Sequence, residues 1–173
     1  KDRLATLQWW EEDRAQDGFF AVAGYQALSY YHATNERVVG LWKHSRAAIT
    51  IDDGASWSDV VRVPSLVMSG AKIWGQRTID GRFAIVYNPS THGYHRWPLA
   101  VATSEDGYTF DDLVSYMGIG GQRRFCGNCK DFGPQYVRGI AEGNGVPPDG
   151  GLWVTYSMNK EDIWVSRIPI PVR

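Results

Sequence analysis

Cysteine is nearly missing. The chain of 173 residues has two, set close together as Cys126-Gly127-Asn128-Cys129. Such a pair can be redox-active, metal-binding or locally bonded. A structural zinc site needs four ligands, and neither a second CxxC nor a His-x3-His follows. No βαβ pattern surrounds the pair, which argues against thioredoxin-like chemistry. Two loop cysteines, bonded or not, are what remains, and no metal or cofactor is expected. An excess of one charge is missing too: 18 Lys and Arg face 19 Asp and Glu, for a net charge of −1. A nucleic-acid partner is therefore not expected, because it asks for a basic face against phosphates. A local basic pocket stays open. No apolar run reaches the roughly 18 residues of a membrane-spanning helix. Lys1-Asp2-Arg3-Leu4 does not open a signal peptide, so either a leader has been removed or the chain starts inside a longer protein. Sustained helical periodicity is absent as well.

What the chain has is aromatics and short β-like runs. Eight Trp and nine Tyr suit a β-rich core, and flat rings also suit the apolar faces of sugars. Residues 1–18 read as a polar lead-in. From there the runs are Phe19–Tyr31, Arg37–Trp42, Ala47–Ile51, Val60–Val63, Ala71–Trp74, Phe83–Tyr87, Leu99–Ala102, Tyr136–Ile140, Leu152–Tyr156 and Ile163–Ile168. Turn signals break them at Asp53-Gly54, Ser69-Gly70, Asp80-Gly81, Asp106-Gly107 and Asp149-Gly150-Gly151. Short strands at regular spacing with Asp-Gly turns predict an all-β sandwich, barrel or propeller.

An internal repeat selects the propeller. Thr50-Ile51-Asp52-Asp53-Gly54-Ala55-Ser56-Trp57 reads S/T-x-D-x-G-x-S/T-W. Thr103-Ser104-Glu105-Asp106-Gly107-Tyr108-Thr109-Phe110 fits the same frame, with Glu105 at the Asp place, 53 residues on (103 − 50). That spacing suits one four-stranded blade. In such a turn the acid accepts hydrogen bonds from its own amides. The motif is the Asp box, and with it the chain resembles the sialidases and other BNR-repeat glycosyl hydrolases. The resemblance implies an all-β propeller of four-stranded antiparallel blades, with about three blades here of a six- or seven-bladed whole. The chain then reads as one partial propeller domain over 1–173, its other blades supplied by the rest of the protein or by another chain. In the family the box is a folding device far from the active site, so Asp52, Asp53, Glu105 and Asp106 are not expected to be catalytic. The resemblance also makes a secreted or periplasmic location the expected one.

Propeller ligands sit on the axis, where loops meet the innermost strands. Tyr87-Asn88-Pro89-Ser90 followed by His95-Arg96-Trp97-Pro98-Leu99 resembles the Asn and Arg-x-Pro-Leu segment ahead of a sialidase Asp box. There the Arg grips a substrate carboxylate, a task for a planar, permanently charged fork. The resemblance gives that role to Arg96 and hydrogen-bonding roles to Asn88 and His95; the plain alternative is a surface Arg beside a loop. In Ala71-Lys72-Ile73-Trp74-Gly75-Gln76-Arg77, Lys72 alternates with Ile73 on an expected inner strand and Gln76-Arg77 follow it, with Arg77 a second carboxylate candidate or a solvated strand end. In Gln135-Tyr136-Val137-Arg138-Gly139-Ile140-Ala141-Glu142, alternation puts Tyr136, Arg138 and Ile140 on one face. Tyr, Arg and Glu are the types a sialidase-like site uses: Glu142 to activate, Tyr136 to attack, Arg138 to bind, with Gln135 at the strand's end. Inter-blade ion pairing is the alternative. Tyr156, in a polar hairpin segment, is a second nucleophile candidate. The early Arg-Ile/Leu-Pro motif and acid/base Asp of sialidases are not visible, and Arg167-Ile168-Pro169 spells those letters only on the last strand.

The expected function is glycoside hydrolysis on a carboxylate-bearing glycan. A polysaccharide lyase is the alternative, with a Tyr/His pair to move a proton and Arg to neutralise a uronate. A glycan-binding propeller without catalysis is the third reading, since fold does not fix function.

Overall fold

The computed structural model describes residues 25, 27–93, 95–118, 120–127, 131–140 and 149–172. The lead-in over 1–18, Glu142 and Cys129 lie outside the described residues. The strands are β1 (Ser29–His32), β2 (Val38–Trp42), β3 (Arg46–Thr50), β4 (Val61–Arg62), β5 (Trp74–Arg77), β6 (Phe83–Tyr87), β7 (Leu99–Ser104), β8 (Asp112–Met117), β9 (Pro134–Gly139), β10 (Leu152–Met158) and β11 (Asp162–Ile168). They pair in sequence order into antiparallel sheets β1-β2-β3-β4, β5-β6-β7-β8 and β9-β10-β11. Among the described residues there is no helix, and none long and apolar enough to cross a membrane.

Side-chain patterning explains the layers. β6 and β7 are buried along their whole length. They are the middle strands of the second sheet, covered on both faces, and read as continuous Ala, Val, Ile and Leu runs. β10 alternates strictly between buried and half-buried residues, so one face looks inward. That face, with Leu152, Val154, Tyr156 and Met158, packs on Ala84, Val86, Leu99 and Val101 of the second sheet. The other face of the second sheet, with Phe83, Ile85, Tyr87 and Ala102, packs on Tyr31, Val39 and Leu41 of the first. Fully buried side chains such as Leu99 and Val86 each contribute about 1.5–3 kcal/mol over exposure. The first strands of the sheets pack side by side, β1 on β5 and β5 on β9.

Two sequence expectations need correction here. The second inner strand does not run over Ala71–Trp74; it is β5, Trp74–Arg77, and Lys72 precedes it. The short strand β8, Asp112–Met117, falls outside the predicted runs; none of its six residues is buried, and its amphipathic signal is weak.

The repeat is real, but its register is not the one the letters suggest. Thr50 ends β3 opposite Val38, and Ser104 ends β7 opposite Phe83, each paired with the first residue of its neighbour. Thr50 and Ser104 are therefore equivalent. Asp52 accepts from Thr50 Oγ1 at 2.7 Å, the Ser56 amide at 2.9 Å and Ser56 Oγ at 2.5 Å. Asp106 accepts from Ser104 Oγ at 2.9 Å and from the Tyr108 and Thr109 amides at 2.7 and 2.8 Å. The acid equivalent to Asp52 is thus Asp106 and not Glu105, and the second turn is one residue shorter before its glycine. Gly54 and Gly107 both take positive φ, and each donates its amide back to the hydroxyl that starts the turn.

Candidate functional site

The antiparallel order sends every first strand off in the same sense, so the sheets share two ends. At one end the starts of β5 and β9 meet the β2–β3 turn and the β6–β7 loop. The His44 amide donates to the Ser69 carbonyl at 3.3 Å, and the Arg96 amide to the Phe132 carbonyl at 2.8 Å. At the other end Tyr31 Oη donates to the Gly107 carbonyl at 2.6 Å, tying the Asp106 turn to the first sheet. Both carboxylate-bearing turns belong to this second end; His95, Arg96 and Asn88 belong to the first.

Arg96 is the hinge of that first end. Its Nη1 donates to Ser69 Oγ at 3.0 Å, and its Nη2 lies 3.3 Å from Asp131 Oδ2, with the two side chains only 13% and 9% exposed. The guanidinium is therefore already paired. Asn88 is buried, and its Nδ2 donates to the carbonyls of Arg96, Pro98 and Pro134 at 2.8–2.9 Å. One amide so fastens the β6–β7 loop to the start of β9. A Cβ on Gly133, which has φ +99, would meet the Arg96 carbonyl oxygen at 2.6 Å, so only glycine admits this approach. His95 is exposed and its ring lies 4.3 Å from that of His92.

Several candidate residues are turned inward or lie apart from the others. Asn88 and Gln135 are fully buried, and Gln135 Nε2 donates to the Asp131 carbonyl at 2.8 Å; their amides hold backbone rather than face a ligand. Tyr156 is buried in the core with its hydroxyl 2.8 Å from Ser166 Oγ, and burial pushes its phenol upward, with the Ser166 contact opposing. Arg77 closes β5 at the turn end, opposite Arg96. Arg96 and Arg138 do not sit at one level either: Arg96 bonds at Phe132, just before β9, and Arg138 is the second-last residue of that strand.

Tyr136 and Arg138 are the predicted pair that the fold presents. Thr155 pairs with Arg138 and Ser157 with Gln135, so Tyr136 and Val137 together oppose Tyr156 in a bulge. Tyr136 takes φ 58, a left-handed conformation that a bulky residue rarely holds. Its ring is 44% exposed, with Lys160 Nζ 5.3 Å from the ring centroid. The Arg138 guanidinium lies 5.5 Å from the centroid of Trp74 on β5. Burial pushes the Tyr30 phenol up to about 12, and the Arg138 charge is the opposing influence. Farther out, His44 is pushed down, first by burial and then by Arg46, Lys43, Arg96 and Arg62.

Asp131, Ser69, Lys160 and Trp74 are the residues that spacing alone missed. Asp131 lies 35 positions from Arg96 (131 − 96), and no local pattern carries such a contact. No group of three or more metal-ligating side chains comes together among the described residues. A cavity of about 680 Å³ between the first two sheets is lined by apolar groups such as Val39, Leu41, Ile85 and Phe110 and touches none of the candidate residues.

No family model matches the chain, and no curated protein matches it. Among solved structures, a chain named a sialidase is similar to it with TM-score 0.81 and 51% sequence identity over 87% of this chain. This chain spans 14% of that sialidase chain. The likeness makes the fold sialidase-like.

Proposed function

We propose that the chain is part of a carbohydrate-active β-propeller that hydrolyses glycosides carrying a carboxylate. The three sheets are three blades, and further blades come from the rest of the protein or from another chain. The unpaired edge of β11, with Ile163 and Val165 exposed, supports that reading, since such edges are normally covered.

The observation that carries the reaction is Tyr136. An exposed tyrosine in a left-handed bulge, on a first strand and beside an ammonium, has been re-aimed at a cost in backbone strain. Tyr136 Oη gives its proton to Glu142 and attacks the anomeric carbon, the glycosidic bond breaks, and the leaving oxygen takes a proton from solvent water. Water then displaces the tyrosyl link. Arg138 binds the carboxylate. The base for Tyr136 is Glu142, a role that rests on the family resemblance. Arg96, paired with Asp131, acts as scaffold and as part of the cationic surround.

The test is turnover of a chromogenic carboxylate-bearing glycoside by the native protein and by Tyr136→Phe. Hydrolysis by the wild type and its loss in the variant support the proposal. An unsaturated, ultraviolet-absorbing product from a uronate polymer would instead make the protein a lyase.

A further inference from the structure

The connection from β8 to β9 carries Arg124 and Phe125, and Phe125 is 61% exposed. A surface phenylalanine on a loop is ordinary; one pinned in place is not. The Arg124 and Phe125 amides both donate to the Glu161 carboxylate, at 3.0 and 2.7 Å. That carboxylate belongs to a side chain only 2% exposed. Arg124 Nη2 reaches Asp162 at 2.6 Å, and the guanidinium carbon lies 5.6 Å from the centroid of the Phe125 ring. Burying a carboxylate is costly unless charge-assisted hydrogen bonds hold it, and here the amides of the strap supply them.

The β10–β11 turn that provides Glu161 also reaches Tyr136. Asn159 accepts the Gly133 amide at 2.8 Å through its side-chain oxygen and donates to the Gly121 carbonyl at 2.8 Å. Lys160, between Asn159 and Glu161, lies over the Tyr136 ring. One short turn thus fixes the reacting tyrosine on one side and the aromatic strap on the other.

We propose that Phe125 is a binding platform for the sugar ring next to the one whose bond is cleaved, and that Glu161 is the residue that positions it. The proposal rests on the carbohydrate reading above. A pyranose has a C–H face that covers a flat ring, and Arg124 beside the ring offers N–H donors to its hydroxyls. With the carboxylate-bearing sugar at Tyr136 and Arg138, the neighbouring ring lies over the strap.

The experiment compares a single carboxylate-bearing sugar with an oligosaccharide ending in it, by calorimetric affinity and by steady-state kinetics on the native protein. Phe125→Ala is expected to weaken the oligosaccharide roughly tenfold in Kd and KM, to leave kcat unchanged, and to leave the single sugar unaffected. Glu161→Gln keeps the shape but gives up the charge, and is expected to weaken the oligosaccharide in the same direction, whereas Phe125→Tyr, which keeps the flat ring, is expected to match the wild type. Equal oligosaccharide affinity in wild type and Phe125→Ala overturns the platform whatever the turnover. Binding without turnover that still depends on Phe125 sinks hydrolysis and leaves the platform standing. No binding of either sugar by the wild type removes both.

Discussion

The two ends of the first strands use their polar groups differently. At the turn end, Asp52 and Asp106 spend their carboxylates on their own turns. Asp149 there takes the Gly151 amide at 3.0 Å and Arg167 Nε at 2.6 Å, and Arg82 pairs with Asp112 at 3.5 Å. At the other end Tyr136 and Phe125 stand exposed while Arg96 and Asn88 are locked beneath them. Hydrogen bonds within a turn define its shape and leave no chemistry to spare. A site needs the opposite: groups held rigidly from behind and open in front. The acids of the turn end are spent on their own turns, which is why the proposed site lies at the other end.

Removing the open group should have the largest effect. Tyr136→Phe is expected to lower kcat by about a thousandfold or more on a carboxylate-bearing glycoside, since nucleophile loss is among the costliest changes an active site can suffer. The folded stability should hardly move, because the ring is half-exposed and only its hydroxyl is lost. A matching fall in melting temperature would make Tyr136 a structural residue.

Removing the support should do the reverse. Arg96→Ala leaves Asp131, itself nearly buried, without its partner, a loss of about 3–5 kcal/mol for buried pairs. Urea unfolding measures it. Little change in stability together with a large rise in KM would return Arg96 to direct carboxylate binding. Arg138 stands between the two regimes, stacked on Trp74 yet half-exposed. Arg138→Ala should weaken carboxylate binding by about 1.5–3 kcal/mol. Arg138→Lys should not rescue it, because an ammonium lacks the planar fork. Calorimetry with a carboxylate-bearing and a neutral sugar separates the charge contact from the stacking.

Much of the fold was legible because its signals are local. The alternation of β10 and the apolar runs of β6 and β7 are written within a few residues. The three strands of the last sheet lie where Tyr136–Ile140, Leu152–Tyr156 and Ile163–Ile168 predict them. Of the candidate residues, Tyr136 and Arg138 share a strand, so their nearness could be read from spacing alone. Asn88 and Gln135 have residue types that serve equally for ligands and for buried carbonyls, and only the surrounding backbone decides. The Glu105 assignment failed for a related reason. Two acids side by side give the same letters, and the strand register alone shows that Asp106 faces the turn's amides.

The acids of the turn end also predict the smallest effect, a pH dependence of stability. Hydrogen bonds from Ser56, then Thr50, hold Asp52 down at about 2. The Thr109 and Tyr108 amides, then Ser104, do the same for Asp106, also to about 2, and Arg167, then the Gly151 amide and Trp153, for Asp149. Each folded value lies below the ordinary 3.8, so the unfolded chain takes up protons first as pH falls. The stabilisation is complete above about pH 4 and is lost as pH falls through about 2. All three groups are exposed to water, so each contribution is small. The urea midpoint should stay level from neutral pH to about 5 and then decline, and Asp52→Asn or Asp106→Asn should make that decline shallower. An acid profile unchanged in both variants would mean that the hydrogen bonds of these turns persist on a neutral side chain, and that the serine and threonine hydroxyls, not the charge, shape the turn.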